Sequence, residues 1–221
     1  MTYLRIQYLS NLFLQKNNIK SIPKLKKVAP ILALCGNIGL TTCPNTKKFI
    51  QAVDKYYDKV LWIPGMLEYS SQGQKTWNLK RTTFCQKYEF PINTTFTILA
   101  TPLWHPTFVK KGYSTYEYRA GGNVVMIKND YMRMHQDEYN WLQKQCRISS
   151  TKKILLSYSP LEIGKMETSN LICHLYGTEY GEIPLSYTGG RNPWCGLNMY
   201  SSKNYLPNAF IELKADQSKY L

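Results

Sequence analysis

Two short apolar runs with a helical segment between them constrain the fold of this chain more than any other feature. The runs cover 30–35 and 60–63. The first is typical of a strand buried on both faces, and the second also predicts a strand. Between them, Pro44 begins a stretch whose apolar side chains recur at helical spacing. Strand, helix and strand joined by short turns predict a parallel sheet with right-handed crossovers, whose carboxyl edge is the expected place for a ligand.

Further elements are predicted along the rest of the chain. We expect strands at 3–9, 96–100, 124–127, 153–157, 171–173 and 209–213. A polar helix is predicted over 72–82 and a long helix over 131–146. From Gly177 onward, the frequent Gly, Pro, Asn and Tyr favour short antiparallel strands and turns. The length of 221 residues fits a single domain, 1–221, with a sizeable core.

Composition argues for a folded protein that does not cross a membrane. Hydrophobic residues make up 43% of the chain, and no apolar run approaches the roughly 20 residues of a membrane span. Arg5 and Gln7 interrupt any signal-peptide core, so we expect a cytoplasmic or nuclear protein. The six cysteines show no zinc-type spacing. Without a secretion signal no disulfides are expected, and Cys35 and Cys173 are predicted to be buried thiols.

The charge is strongly basic. Twenty-eight Lys and Arg against fourteen Asp and Glu give a formal net charge of +14, which would attract a polyanion. The basic residues form scattered pairs rather than a tail, at 26–27, 47–48, 80–81, 110–111 and 152–153.

Short polar motifs follow four of the predicted strands. They are Ser10-Asn11-Leu12-Phe13, Gly36-Asn37, Pro64-Gly65-Met66-Leu67-Glu68 and Ser157-Tyr158-Ser159-Pro160. In position and in neighbouring residues they resemble the motifs of the calcineurin-like metallophosphoesterases. The resemblance implies an α/β fold, a four-layer α/β/β/α metallophosphoesterase-like sandwich with mixed sheets. It also implies that the motifs meet where that family holds two metal ions.

At the positions of the family's metal ligands and catalytic histidine, this chain carries other residues. The family's motifs are Asp-x-His, Gly-Asp, Gly-Asn-His-Glu, Thr-His-His-Pro and Gly-His-x-His. The positions implied for the first four hold Asn11, Phe13, Asn37, Met66, Leu67, Tyr158 and Ser159. For the last motif two alignments stay open. One places Gly177, Thr178 and Tyr180 in the motif, and the other uses 174–177 and keeps one histidine.

These residues do not suit a two-metal site. Such a site needs carboxylate and imidazole ligands to compensate the metal charge and to generate hydroxide. Asparagine has the shape of aspartate without its charge, and the chain has only three histidines, on unrelated segments. Because this chain departs from the motifs of the family it resembles, we expect no metal, no cofactor and no phosphoesterase activity. Glu68 is predicted to be a loop or cap residue, and His174 a partly buried structural histidine.

Three functional hypotheses follow. The first is a non-catalytic pseudoenzyme that acts as a binding or scaffold module for protein partners. The composition bias toward Lys, Asn, Ile and Tyr indicates an AT-rich genome. Because the family that the motifs resemble includes copies from large DNA viruses, the resemblance implies a viral protein, and a structural component of the virion is one expectation. The second is a basic module on the same fold that binds nucleic acid or another polyanion. The third is a divergent metal-dependent phosphoesterase, and a cysteine nucleophile at Cys35 or Cys173 is the least favoured activity.

Overall fold

The computed structural model describes residues 3–15, 25–70, 77–104, 116–119, 122–148, 150–161, 170–177, 194–197, 206 and 208–215. The helices are α1 (Pro44–Tyr56), α2 (Met66–Ser70) and α3 (Lys128–Ile148). The strands are β1 (Tyr3–Leu9), β2 (Ile31–Cys35), β3 (Lys59–Ile63), β4 (Thr82–Phe84), β5 (Tyr88–Pro91), β6 (Phe96–Thr101), β7 (Tyr116–Arg119), β8 (Gly122–Val125), β9 (Lys152–Ser157), β10 (Leu171–Tyr176), β11 (Trp194–Leu197) and β12 (Phe210–Lys214).

Two mixed five-stranded sheets form the centre of the molecule. The first has the order β12-β1-β2-β3-β4, and the second has the order β11-β10-β9-β6-β5. In each sheet four strands run parallel and one edge strand, β12 or β5, runs antiparallel to its neighbour. Strands β7 and β8 make a separate antiparallel pair. With α1 outside the first sheet and α3 outside the second, the predicted four-layer α/β/β/α sandwich is confirmed.

Alternation along β2 shows how the layers divide the core. Ala33 and Cys35 point to the central core between the two sheets, where they join apolar residues of β6 and β9. Leu32 and Leu34 point the other way and pack with Phe49 and other apolar residues of α1. All five residues of β2 are buried, because a strand covered on both faces has no solvent side. The same division in the second sheet places Leu155 beneath α3.

Most predicted strands and the helices predicted from Pro44 and over 131–146 are confirmed, and the structure differs from the predictions in three places. Helix α3 begins three residues earlier than expected because the carboxylate of Asp130 accepts the N–H of Ile127 at 3.0 Å, which caps its first turn. The predicted antiparallel pairing after Gly177 is wrong for β11, which pairs in parallel with β10. No helix in the described ranges is long and apolar enough to cross a membrane.

The predicted helix over 72–82 is wrong in its described part, 77–82, which forms no helix and leads into β4. Asp54 on α1 is the physical reason. Its carboxylate accepts the backbone N–H groups of Lys80, Arg81 and Thr82 at 3.2, 2.8 and 2.7 Å. Those donors are then not available for helical bonds. Burial opposes ionisation of Asp54, but these hydrogen bonds outweigh it and hold its pKa below the usual range.

Replacing Asp54 by alanine is expected to detach β4 from the sheet edge. Three backbone N–H groups and the hydroxyl of Thr82 lose their acceptor, so unfolding in urea is expected to require about 2 kcal/mol less. Asp58→Ala is the matched control, because Asp58 is exposed and its carboxylate forms a surface ion pair with Lys27. Equal stability of the two variants would contradict the anchoring role of Asp54.

Candidate functional site

The loops that follow five parallel strands meet at one edge of the sandwich. The loop after β1 is joined to the loop after β2, because Asn11 N donates to Gly36 O at 3.0 Å and Phe13 N donates to Asn37 O at 3.1 Å. In the second sheet, Gly177 N, after β10, donates to the carbonyl of a residue after β9 at 3.1 Å. Since β1 and β2 belong to one sheet and β9 and β10 to the other, contacts between these loops bridge the two sheets.

The bridge is a network of uncharged side chains, which we call the amide–phenol network: Asn11, Asn37 and Tyr158. The Nδ2 group of Asn37 donates to Asn11 Oδ1 and to Tyr158 Oη, both at 2.9 Å. The Nδ2 group of Asn11 donates to the carbonyl of Gly177 and to Ser10 Oγ. Each amide nitrogen has two hydrogens and both are used within the protein. All three residues of the network are at most 9% exposed.

The backbone at these positions is held in the left-handed region. The φ angles of Asn11, Phe13 and Asn37 are 55°, 50° and 52°. Asparagine tolerates this conformation, whereas for Phe13 it costs roughly 1–2 kcal/mol. The hydrogen bonds that join the β1 and β2 loops hold Phe13 there. The hydrogen bonds therefore join the β1 and β2 loops even at Phe13, where the backbone is strained.

Close packing fills the centre of this edge. A Cβ added at Gly36 would lie 2.3 Å from Cδ2 of the Tyr158 ring, and one added at Gly177 would lie 1.5 Å from the carbonyl oxygen of Cys35. These glycines are required because a ring and a backbone carbonyl occupy the space of a side chain. The Tyr158 ring also meets Trp104 in an edge-type contact, with ring centroids 5.9 Å apart.

One buried carboxylate holds the loops beneath the network. Glu68 Oε1 accepts the N–H groups of Ile38 and Gly39 at 2.7 and 3.2 Å, and Oε2 accepts those of Asn37 and Gly65 at 3.1 and 2.8 Å. Since Gly65 directly precedes α2, the contact is a capping-box bond, and the predicted capping role of Glu68 is confirmed. Burial raises the pKa of Glu68, and the N–H donors oppose that shift. Donors surround both oxygens, so the geometry suits the ionised form.

Glu68→Gln is expected to destabilise the protein more than its small change in shape suggests. The glutamine NH2 group would face two of the four backbone N–H groups, leaving them buried and without an acceptor, at about 3 kcal/mol in total. Chemical denaturation measures this loss. Glu212→Gln, which removes one half of a surface ion pair with Arg5, is the control and is expected to cost at most about 1 kcal/mol. A loss of stability no larger than that of the control would contradict the role of Glu68 in holding the loops.

The side chains at this edge do not fit a two-metal centre. The amide hydrogens of Asn37 point toward Asn11 and Tyr158, into the space that metal ions would need. Both oxygens of Glu68 already accept backbone N–H groups. Within the described residues, no three His, Cys, Asp or Glu side chains form a group that could hold a metal ion.

The other predicted site residues lie around the network. Met66 is buried in the central core, and the N–H of Leu67 donates to Asn37 Oδ1 at 3.3 Å. Ser159 is fully buried, and its N–H donates to the carbonyl of Pro102 at 2.9 Å. Thr178 and Tyr180 lie outside the described residues.

His174 takes no part in the network. Its Nε2 atom lies 2.7 Å from Ser157 Oγ, whose hydroxyl donates to the backbone carbonyl of Ser159 at 2.5 Å. Burial lowers the pKa of His174 to about 3, so the ring is neutral. The structure thus confirms a structural histidine, more deeply buried than predicted. Of the two alignments of the last motif, the one that begins at Gly177 has its glycine in contact with Asn11.

The structure does not support a cysteine nucleophile at Cys35. The side chain is 1% exposed in the central core and points its Sγ atom toward the carbonyl of Leu175 at 3.9 Å. Burial raises the pKa of the Cys35 thiol far above its usual range, which suppresses the reactive thiolate.

Glu138 is a buried carboxyl group with a shifted pKa that was not predicted from the sequence. It lies on α3, is 5% exposed, and its Oε2 atom accepts the N–H of Trp104 at 3.1 Å, in the loop after β6. Burial raises the pKa of Glu138 to about 8, against the opposing effect of this hydrogen bond. The position of Glu138 in the helical pattern of the sequence indicates only which face of α3 it lies on. No signal in the sequence shows that it binds the loop after β6.

Glu138 is expected to make stability depend on pH. Because its pKa rises from 4.5 to about 8 on folding, its contribution is full at low pH and is lost as pH rises through about 8. The stability of Glu138→Gln relative to the unsubstituted protein is therefore expected to increase by about 3 kcal/mol between about pH 5 and pH 8. Urea denaturation at both pH values measures this. The comparison cancels the opposite contribution of His174, and a constant difference would contradict the raised pKa.

Comparisons with known proteins give a weak structural likeness alone. No protein-family model matches the chain, and no curated protein matches it. Among six matching chains of solved structures is phosphopantetheinyl hydrolase (PptH) from Mycobacterium tuberculosis, at 12% sequence identity and a TM-score of 0.47. The match covers 80% of this chain and 85% of that one. A likeness at this level says nothing about the activity of this chain.

Proposed function

We propose that the chain is a non-catalytic protein of metallophosphoesterase-like fold that serves as a binding or scaffold module for protein partners. The observation that carries the proposal is the closed amide–phenol network. Where the resemblance implies a two-metal hydrolase site, uncharged side chains satisfy one another and a tyrosine ring fills the space. Fold alone does not determine function, so the argument rests on this edge.

Two-metal catalysis requires an open, negatively charged cavity. The metals bind and orient the phosphate and lower the pKa of a bound water, which demands carboxylate and imidazole ligands and room for substrate. Here the amide hydrogens of Asn11 and Asn37 are used internally. Opening the network would leave these buried amide groups unsatisfied, at about 1–3 kcal/mol each. The arrangement therefore favours the closed state.

A closed and interlocked strand-end edge suits a protein that binds its partners through a surface of fixed shape. The loops of both sheets are joined by backbone and side-chain hydrogen bonds, so the strand-end surface has a defined shape. Preorganised surfaces bind with a smaller entropy cost than mobile ones. The suggested place in a virion stays a prediction from the resemblance and the composition.

Metal binding and phosphodiester hydrolysis test this proposal together. Isothermal titration calorimetry with Mn²⁺ and with Zn²⁺ is expected to show no stoichiometric binding, and a nitrophenyl phosphodiester is expected to release no nitrophenol above background. The physical reason is the absence of a fitting donor set at the described strand ends. Binding of two metal ions with turnover would overturn the proposal and favour a divergent phosphoesterase.

The Asn37→Asp variant distinguishes two reasons why the site would bind no metal: a missing negative charge, or a network that leaves no room. It introduces the carboxylate that the resemblance implies while preserving side-chain size. If the network is closed by packing and by the remaining hydrogen bonds, this variant gains no metal affinity. A gain in Mn²⁺ affinity would mean that the site is open and lacks only charge, which contradicts the closed network.

A further inference from the structure

The two outer helices of the sandwich carry different charge patterns. The solvent face of α1 exposes Lys47, Lys48 and Lys55 and no acidic residue. On α3, basic residues alternate with acids: Arg133 lies 3.7 Å from Asp130, and a lysine of the neighbouring loop pairs with an aspartate of this helix. The positive charge of α1 therefore has no exposed acid beside it on its own helix, whereas on α3 one of the basic residues, Arg133, has an acidic partner on the same helix.

The lysines of α1 follow the helix axis. Lys48 and Lys55 are seven residues apart, which places them on the same side of the helix about 10 Å apart along its axis. Lys47 extends the positive surface beside Lys48. Cations spread along a line of this length are suited to a chain of phosphates rather than to one small anion.

A second segment adds positive charge at the end of α1. Arg81 Nη1 donates to the carbonyl oxygens of Lys55 and Tyr57 at 3.4 and 3.1 Å, so its guanidinium lies against the last turn of the helix. Lys80 is exposed beside it. Asp54, the acid that holds this segment, is 8% exposed and directs its carboxylate at backbone N–H groups rather than at these cations.

We propose that this surface, the α1 basic face (Lys47, Lys48, Lys55, Lys80 and Arg81), binds the phosphate backbone of a single-stranded nucleic acid. Within the described part of the chain, its four lysines form no ion pair with any acidic residue. Tyr56 directly follows Lys55 at the end of α1, is 53% exposed, and offers a ring on which a base can stack. Positive charge along a line with an exposed aromatic ring is the combination that single-strand binding uses. The surface lies apart from the strand-end network and does not depend on the absence of catalysis.

Fluorescence anisotropy with a labelled 20-nucleotide thymidine strand tests the proposal. The triple variant K47A/K48A/K55A is expected to bind at least tenfold more weakly than the unsubstituted protein at about 0.1 M salt. Each lost phosphate contact lowers the slope of log affinity against log salt by about 0.7, so the slope is expected to fall by about 2. The matched control K128A/K144A/R147A removes the same charge from exposed positions of α3 and is expected to change affinity less than threefold.

The outcomes show whether binding depends on the α1 basic face or only on the net positive charge of the protein. Equal losses in the two triple variants, or no binding of the strand at low salt, would overturn the proposal. Binding of heparin but not of the strand would also overturn it, and would indicate a different acidic partner. Tyr56→Leu is expected to weaken binding of the strand by about fivefold and to leave binding of a matched duplex unchanged. An unchanged affinity for the strand would overturn the single-strand assignment.

Discussion

The buried carboxylate of Glu68 is the interaction on which the strand-end region depends. It gathers four backbone N–H groups from the loops after β2 and β3. These are the loops that place the side chain of Asn37 between Asn11 and Tyr158. In the fold family that the motifs resemble, metal ions bind loops of this kind together. Here a carboxylate beneath the loops and a set of amides above them do so without a metal.

The same physical device recurs at two other places. Asp54 and Glu138 each lie on a helix outside a sheet, and each accepts backbone N–H groups of a neighbouring segment. A chain with only fourteen acidic residues thus uses three of them as internal anchors for backbone. The remaining surface is consequently even more basic than the formal charge suggests. On α1 this leaves a helix face that has cations and no acids.

The fold was predictable from the sequence where local pattern decides it. The continuous apolar run of β2 and the helical spacing after Pro44 indicate their elements directly, and the resemblance of the strand-end motifs supplied the layers. The pattern failed where a distant residue decides the structure. Nothing within 77–82 shows that Asp54 accepts its backbone N–H groups and so prevents a helix there. The pairing of β11 depends on a neighbour that is remote in sequence. The convergence of Asn11, Asn37 and Tyr158 was implied, but their mutual hydrogen bonds needed the structure.

The central claim is that the amide–phenol network is closed and leaves no room for metal ions. Nuclear magnetic resonance of the side-chain amides of Asn11 and Asn37 tests it most directly, with each signal assigned by its loss in an Asn→Ser variant. The account predicts that both amides exchange slowly with solvent and keep their signals during a titration with paramagnetic Mn²⁺. Selective broadening of these signals at less than one equivalent of Mn²⁺ would place a metal ion at the strand ends and contradict the account.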